Sequence, residues 1–218
     1  MMTDVKKFNN QSLGEEISNA ISHGLGAVLS VVGTIMMIVQ ACINHKPAIT
    51  IVSVSIFGAS LILLYLTSCL YHSLKVNRGK KVFQILDHCM IFVLIVGTYT
   101  PICLSIISGW VGWTVWGINM GCTVLGITFN AIDLKRWHKA SLVLYIIMGW
   151  SIVIATGVVI RVIPWQGLVL LLIGGLFYTA GVIFYRATKP KYMHFIWHLF
   201  VLAGSIPHFI FIYMTCCK

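Results

Sequence analysis

The chain has 218 residues, of which 59% are apolar and only 9% charged, against roughly 25% charged in an ordinary soluble domain. With a mean hydropathy of +0.94, it has too few charges to cover a soluble fold, which excludes a cytosolic enzyme, a disordered chain and a secreted disulfide scaffold. A net charge of +10 would suggest a nucleic-acid partner in a soluble protein, but here the basic residues stand between apolar runs, so they report membrane topology and no nucleic acid is expected.

Apolar runs bounded by charge, Gly or Pro predict seven spans, at about 20–43, 48–72, 82–107, 111–131, 140–160, 165–185 and 192–215, each near the 20 residues that cross about 30 Å of hydrocarbon. The fold class is therefore an all-α integral membrane bundle of seven transmembrane helices. Residues 1–16 form a short cytoplasmic segment and residues 17–218 a single seven-helix domain. The first apolar run carries Asn19 and His23 and has no small-residue cleavage site, so it reads as a span and not a signal peptide.

Orientation follows from the basic residues, which cytoplasmic loops hold in excess. Lys6, Lys7, Lys75, Arg78, Lys80, Lys81, Lys135, Arg136, Lys139, Arg186, Lys189 and Lys191 fall on one side of a seven-span chain, and only Lys46, Arg161 and Lys218 on the other. The N-terminus is thus expected in the cytoplasm and the C-terminus outside it. Six or eight spans would put a basic loop on the wrong side.

Seven scattered cysteines, four of them within apolar runs (Cys69, Cys89, Cys103, Cys122), have no CxxC spacing and read as buried apolar residues. Trp110, Trp113, Trp137 and Trp165 near span ends read as interface anchors. Gly112, Gly117, Gly121, Gly174, Gly175 and Gly181 are expected at close helix contacts.

Polar groups inside spans are costly and normally face a bundle interior. Here they are His23, Ser68, His72, Asp87, His88, His194, His198 and His208. His194 and His198 are about one helical turn apart, a spacing that lets two imidazoles hold one metal. In the seven-span topology, His72 ends span 2 while Asp87 and His194 begin spans 3 and 7, so these residues share one depth near the cytoplasmic boundary. Ser68 lies one turn deeper than His72 on the same face. Three imidazoles and a water make a catalytic zinc site, with Asp87 as a fourth ligand or as acceptor of the water's proton. The alternative is an interhelical hydrogen-bond network without metal.

His208 lies about 21 Å along the helix from His194, too deep for the same metal; it is expected to hydrogen-bond to Ser205 or Tyr99. His23 with Asn19 faces the bundle behind the ligands. His88 points about 100° away from Asp87, and His45 and His138 are placed in loops.

These residues also carry a resemblance. Ser68-Cys69-Leu70-Tyr71-His72, then Asp87-His88 with Gly97-Thr98-Tyr99-Thr100-Pro101, then His194-Phe195-Ile196-Trp197-His198, resemble the hemolysin III branch of the progestin and adipoQ receptor family. Glu15-Glu16-Ile17-Ser18-Asn19 followed by His23-Gly24-Leu25-Gly26 is similar to the bacterial branch. The resemblance implies a seven-helix bundle with the N-terminus inside and zinc (Zn2+) held by His72, His194 and His198, with Asp87 on the zinc's water and Ser68 behind the ligands. It implies residence in a bacterial plasma membrane. Through its likeness to the alkaline ceramidases it also suggests hydrolysis of a lipid amide or ester, with a membrane lipid as substrate or ligand and Asp87 and Ser68 as the catalytic pair. The alternatives are a lipid or fluidity sensor or receptor-like protein with structural zinc, a cytolytic protein, and an ion relay along His208, His198 and His194. A pore is disfavoured because no span is polar along a whole face.

Overall fold

The computed structural model describes residues 11–187 and 189–218; Lys6 and Lys7, counted above as basic residues of the N-terminal side, lie outside them. Among the described residues the structure is helical without strands. The α-helices are α1 (Leu13–Ile43), α2 (Ala48–Ser73), α3 (Arg78–Pro101), α4 (Gly109–Gly149), the short α5 (Thr156–Val162), α6 (Trp165–Arg186) and α7 (Met193–Ile212). Among the described residues, six helical stretches are long and apolar enough to cross a membrane, the longest being the 54 residues Gly109–Val162.

That longest stretch is not one rod. At about 1.5 Å per residue it would reach about 80 Å if straight. Asp133 instead takes non-helical backbone angles. The chain turns back there, so that Ser141 Oγ donates to Asn130 Oδ1 at 2.7 Å and Asn119 Nδ2 to Ser151 Oγ at 2.7 Å. Phe129 stacks on Trp137 across the bend. The Asp133 carboxylate accepts from the amides of Lys135 and Arg136, capping the returning arm. The segments expected at 111–131 and 140–160 fall on the two helical arms of this hairpin. His138, expected in a loop, lies in its second arm, 3.3 Å from Tyr185 Oη through Nδ1.

α1 begins at Leu13, earlier than the apolar run near residue 20, because Ser12 and Glu15 form a capping box that starts the helix in polar sequence. Pro101, which lacks an amide proton, ends α3, and the chain loosens into a π turn over Ile102–Ile107. Ser108 and Gly109 then reverse the chain at positive φ, a conformation glycine adopts without strain. At the other break, after α4, Tyr99 donates to Gly149 O at 2.8 Å and accepts from the Ile152 amide at 3.0 Å, satisfying backbone groups the interrupted helix leaves over.

The core runs through α1, α2, α3 and α7, around Phe57, Tyr65, Phe92, Ile102 and Phe211. Many Leu, Ile and Val residues on the outer faces are exposed, the opposite of a water-soluble bundle and suited to lipid. The starts of α1 and α7 and the end of α2 meet at one end of the bundle. Asn44 after α1 reaches the Cys217 carbonyl at the other, at 2.7 Å.

The cysteines are all free; Cys42 is exposed, and Cys69 and Cys122, expected to be buried, are only half-buried. Of the glycines expected at helix contacts, Gly112, Gly174 and Gly181 are so placed, whereas Gly117, Gly121 and Gly175 face open space.

Candidate metal centre

Three helices build the site. His72 sits in the last turn of α2, and His194 and His198 one turn apart at the start of α7, as their spacing requires. Ring centroids are 5.2 Å apart for His72 and His194, 5.0 Å for His72 and His198, and 4.7 Å for His194 and His198. One ligand atom from each lies within 4.8 Å of the other two, close enough to share one ion.

Two of the three rings, His72 and His198, are held from behind by α1. His72 Nδ1 lies 2.7 Å from Glu16 Oε2, and the other carboxylate oxygen of Glu16 takes the Lys80 ammonium at 3.0 Å. His198 Nδ1 lies 3.3 Å from the Asn19 carbonyl and 3.2 Å from Ser22 Oγ. Carboxylates and carbonyls only accept, so both rings carry their proton on Nδ1 and turn the lone pair of Nε2 toward the cluster. His72 Nε2 and His194 Nε2 are buried with no hydrogen-bond partner. Buried polar atoms are nearly always satisfied, so convergent lone pairs without donors fit a cation, and neutral imidazole is a ligand type that zinc accepts. A hydrogen-bond network without metal would need donors between the rings, and none of the described groups supplies one to these two atoms.

His23 lies flat on His198, with centroids 3.6 Å apart and planes 7° from parallel. Both its nitrogens are buried without a partner. His23 is not among the residues whose ligand atoms converge, and it packs against His198, beside the triad. His88 is likewise outside the triad, its Nδ1 lying 2.8 Å from the Gln84 carbonyl.

His194 and His198 line one end of a cavity of about 130 Å³ whose wall is mostly apolar. Ser68, Asp87, Tyr145, Tyr185 and His208 are among the residues that line it. Ser68 is 1% exposed and its hydroxyl lacks a partner. Asp87 is half-buried and is not one of the three residues whose ligand atoms converge. His208 stands at the far end, its Nε2 3.1 Å from the Leu171 carbonyl; Ser205, proposed as its partner, is instead held between Tyr65 and Tyr178. A Cβ at Gly174 would collide with the His208 ring, so glycine is what admits it.

Residues 11–209 match the family described as haemolysin-III related. The chain belongs to this family. Hemolysin-3 of Bacillus cereus is 43% identical over 204 residues, covering 94% of this chain and 93% of that one. The hemolysin-3 homolog of Bacillus subtilis (strain 168) is 40% identical over 211 residues, 95% and 97% of the two chains. More distantly, the monocyte to macrophage differentiation factor of Homo sapiens is 24% identical over 207 residues, covering 89% of this chain and 82% of that one. Family and helices together make this a multi-pass membrane protein with a buried histidine triad able to hold a metal ion.

Glu16, Ser22 and Lys80 escaped the sequence reading as site residues. Lys80 had been counted as a topogenic charge. The available signal was on α1, where Glu16, Asn19 and His23 recur at i, i+3 and i+7 along one face of an apolar helix.

Proposed function

We propose that this protein is a zinc-dependent hydrolase of a lipid amide or ester, working at the cytoplasmic side of a bacterial plasma membrane. The observation that carries the reading is the convergence of partnerless imidazole nitrogens at the end of an apolar cavity. A hydrogen-bonded helix contact would have neither feature.

His72, His194 and His198 would hold the ion. Zinc bound there would supply Lewis acidity toward a carbonyl and bring the pKa of water down to about 7. Asp87, on the same cavity wall, takes the proton that the attacking water loses and returns it to the departing nitrogen or oxygen. Ser68 donates its unused hydroxyl to the oxygen that gains charge as the carbonyl carbon becomes tetrahedral, worth about 2 to 4 kcal/mol. The apolar walls hold the acyl chain and exclude water from it. A lytic pore is not supported, since the cavity wall offers no continuous polar lining.

The reading includes seven spans in one domain, N-terminus inside and C-terminus outside. The hairpin at Asp133 supports it by splitting the 54-residue stretch into two arms, and so does the uneven distribution of Lys and Arg. Cysteine labelling in intact cells is expected to find a probe at Lys218 outside and one at Lys139 inside; both on one side would refute seven spans.

Release of fatty acid from a panel of lipid amides and esters in nanodiscs tests the activity. Product from native protein that disappears with a chelator and returns with zinc is expected. No product across a broad panel would leave zinc a structural role and favour a lipid sensor.

A further inference from the structure

The first turn of α1 carries two carboxylates with separate tasks. Glu15 completes the capping box with Ser12 and accepts the Tyr192 amide at 2.9 Å, tying α1 to the start of α7. Glu16 is not part of that capping box; it is 8% exposed and turned to His72 and Lys80. Lys80, itself 6% exposed, donates to Glu16 Oε1 at 3.0 Å and to the Leu74 carbonyl at 3.0 Å, and lies 5.0 Å from the centroid of the Tyr71 ring.

Burying a carboxylate is costly unless it is paired, and the Lys80 ammonium provides that pairing. An ionised carboxylate only accepts, so Glu16 Oε2, 2.7 Å from His72 Nδ1, fixes both the tautomer and the plane of that ring. We propose that Glu16, pinned by Lys80, is the positioning residue for His72 as a metal ligand. The proposal rests on the metal-centre reading above. A carboxylate behind a ligating histidine holds its orientation and strengthens it as a donor, and loss of such a partner typically costs 10- to 100-fold in metal affinity.

The competing account is that Glu16 and Lys80 merely staple α1 to α3. It predicts equal effects from breaking the pair at either end.

Zinc affinity of the full-length protein in detergent, measured by chelator competition, separates the two. Glu16→Gln, close in shape, is expected to weaken zinc by about 10- to 100-fold, with an altered visible spectrum after cobalt substitution. Lys80→Met leaves the carboxylate on His72 and is expected to change affinity far less, and Glu16→Asp to recover part of the loss. Equal losses in Glu16→Gln and Lys80→Met, or native affinity in Glu16→Gln, would overturn the proposal. Should Glu16→Gln not fold, 15N-histidine NMR of the zinc-loaded native protein decides: His72 protonated at Nδ1 and metal-bound at Nε2 supports it, and metal at Nδ1 overturns it. Loss of zinc in His72→Ala with native affinity in Glu16→Gln would sink this inference alone; zinc retained in His72→Ala would sink the metal centre as well.

Discussion

His198 and His208 sit on the same helix, both buried, and both face the same cavity, yet their surroundings differ. His198 anchors Nδ1 on α1 and joins two further imidazoles whose ligand atoms lie within 4.8 Å of its own. His208 anchors Nε2 on the Leu171 carbonyl of α6 and packs its ring against Tyr178, with centroids 5.5 Å apart. The hydroxyls near it are already spent on each other, Ser205 bonding Tyr65 at 2.6 Å and Tyr178 at 2.7 Å. A buried histidine in a membrane bundle is therefore not in itself a functional group. What marks the site is the second condition, three imidazoles brought together with two of them, His72 and His198, anchored through Nδ1.

The contrast breaks most sharply at the ligands. His72→Ala, His194→Ala or His198→Ala is expected to remove nearly all the zinc bound by purified protein, whereas His45→Ala, His138→Ala and His208→Ala retain it. Metal analysis on the variants checks this, and zinc loss in His208→Ala would erase the distinction between the two ends of the cavity.

Next in size is Asp87→Asn, which keeps shape and hydrogen bonding but removes the carboxylate proposed to accept the proton. Lipid hydrolysis is expected to fall by about 10²-fold or more while zinc content and thermal stability stay near native. Full activity in a zinc-loaded Asp87→Asn protein would remove Asp87 from the reaction.

Smallest is the effect expected at the far end. His208→Ala removes the ring's hydrogen bond to the Leu171 carbonyl, which keeps its helix partner, a loss of about 0.5 to 1.5 kcal/mol, read as a lower unfolding temperature in detergent. A rate loss as large as that of Asp87→Asn, without destabilisation, would give His208 a part in the chemistry.

Much of this was legible in the sequence because a bilayer simplifies the code. Apolar runs gave helix positions to within several residues, and the rarity of polar groups inside them singled out His72, His194 and His198. Where the reading slipped, the cause was local. Polar residues 12–19 cap and extend α1 before its apolar run begins, and Asp133 bends a stretch whose hydropathy changes little on either side. Glu16 and Lys80 were hidden by lying near helix ends, where charges are ordinarily solvated. Only the packing of α1 and α3 against the end of α2 turns them inward. His208's partner is a backbone carbonyl, Leu171 O, which no side-chain pattern can announce.

The central claim is one zinc on three imidazoles, and X-ray absorption at the zinc edge tests it most directly, using native protein purified without added metal. The predicted result is about one zinc per chain with three imidazole nitrogens and one oxygen at about 2.0 to 2.1 Å. A shell containing sulfur at about 2.3 Å, or fewer than two imidazoles, would contradict it.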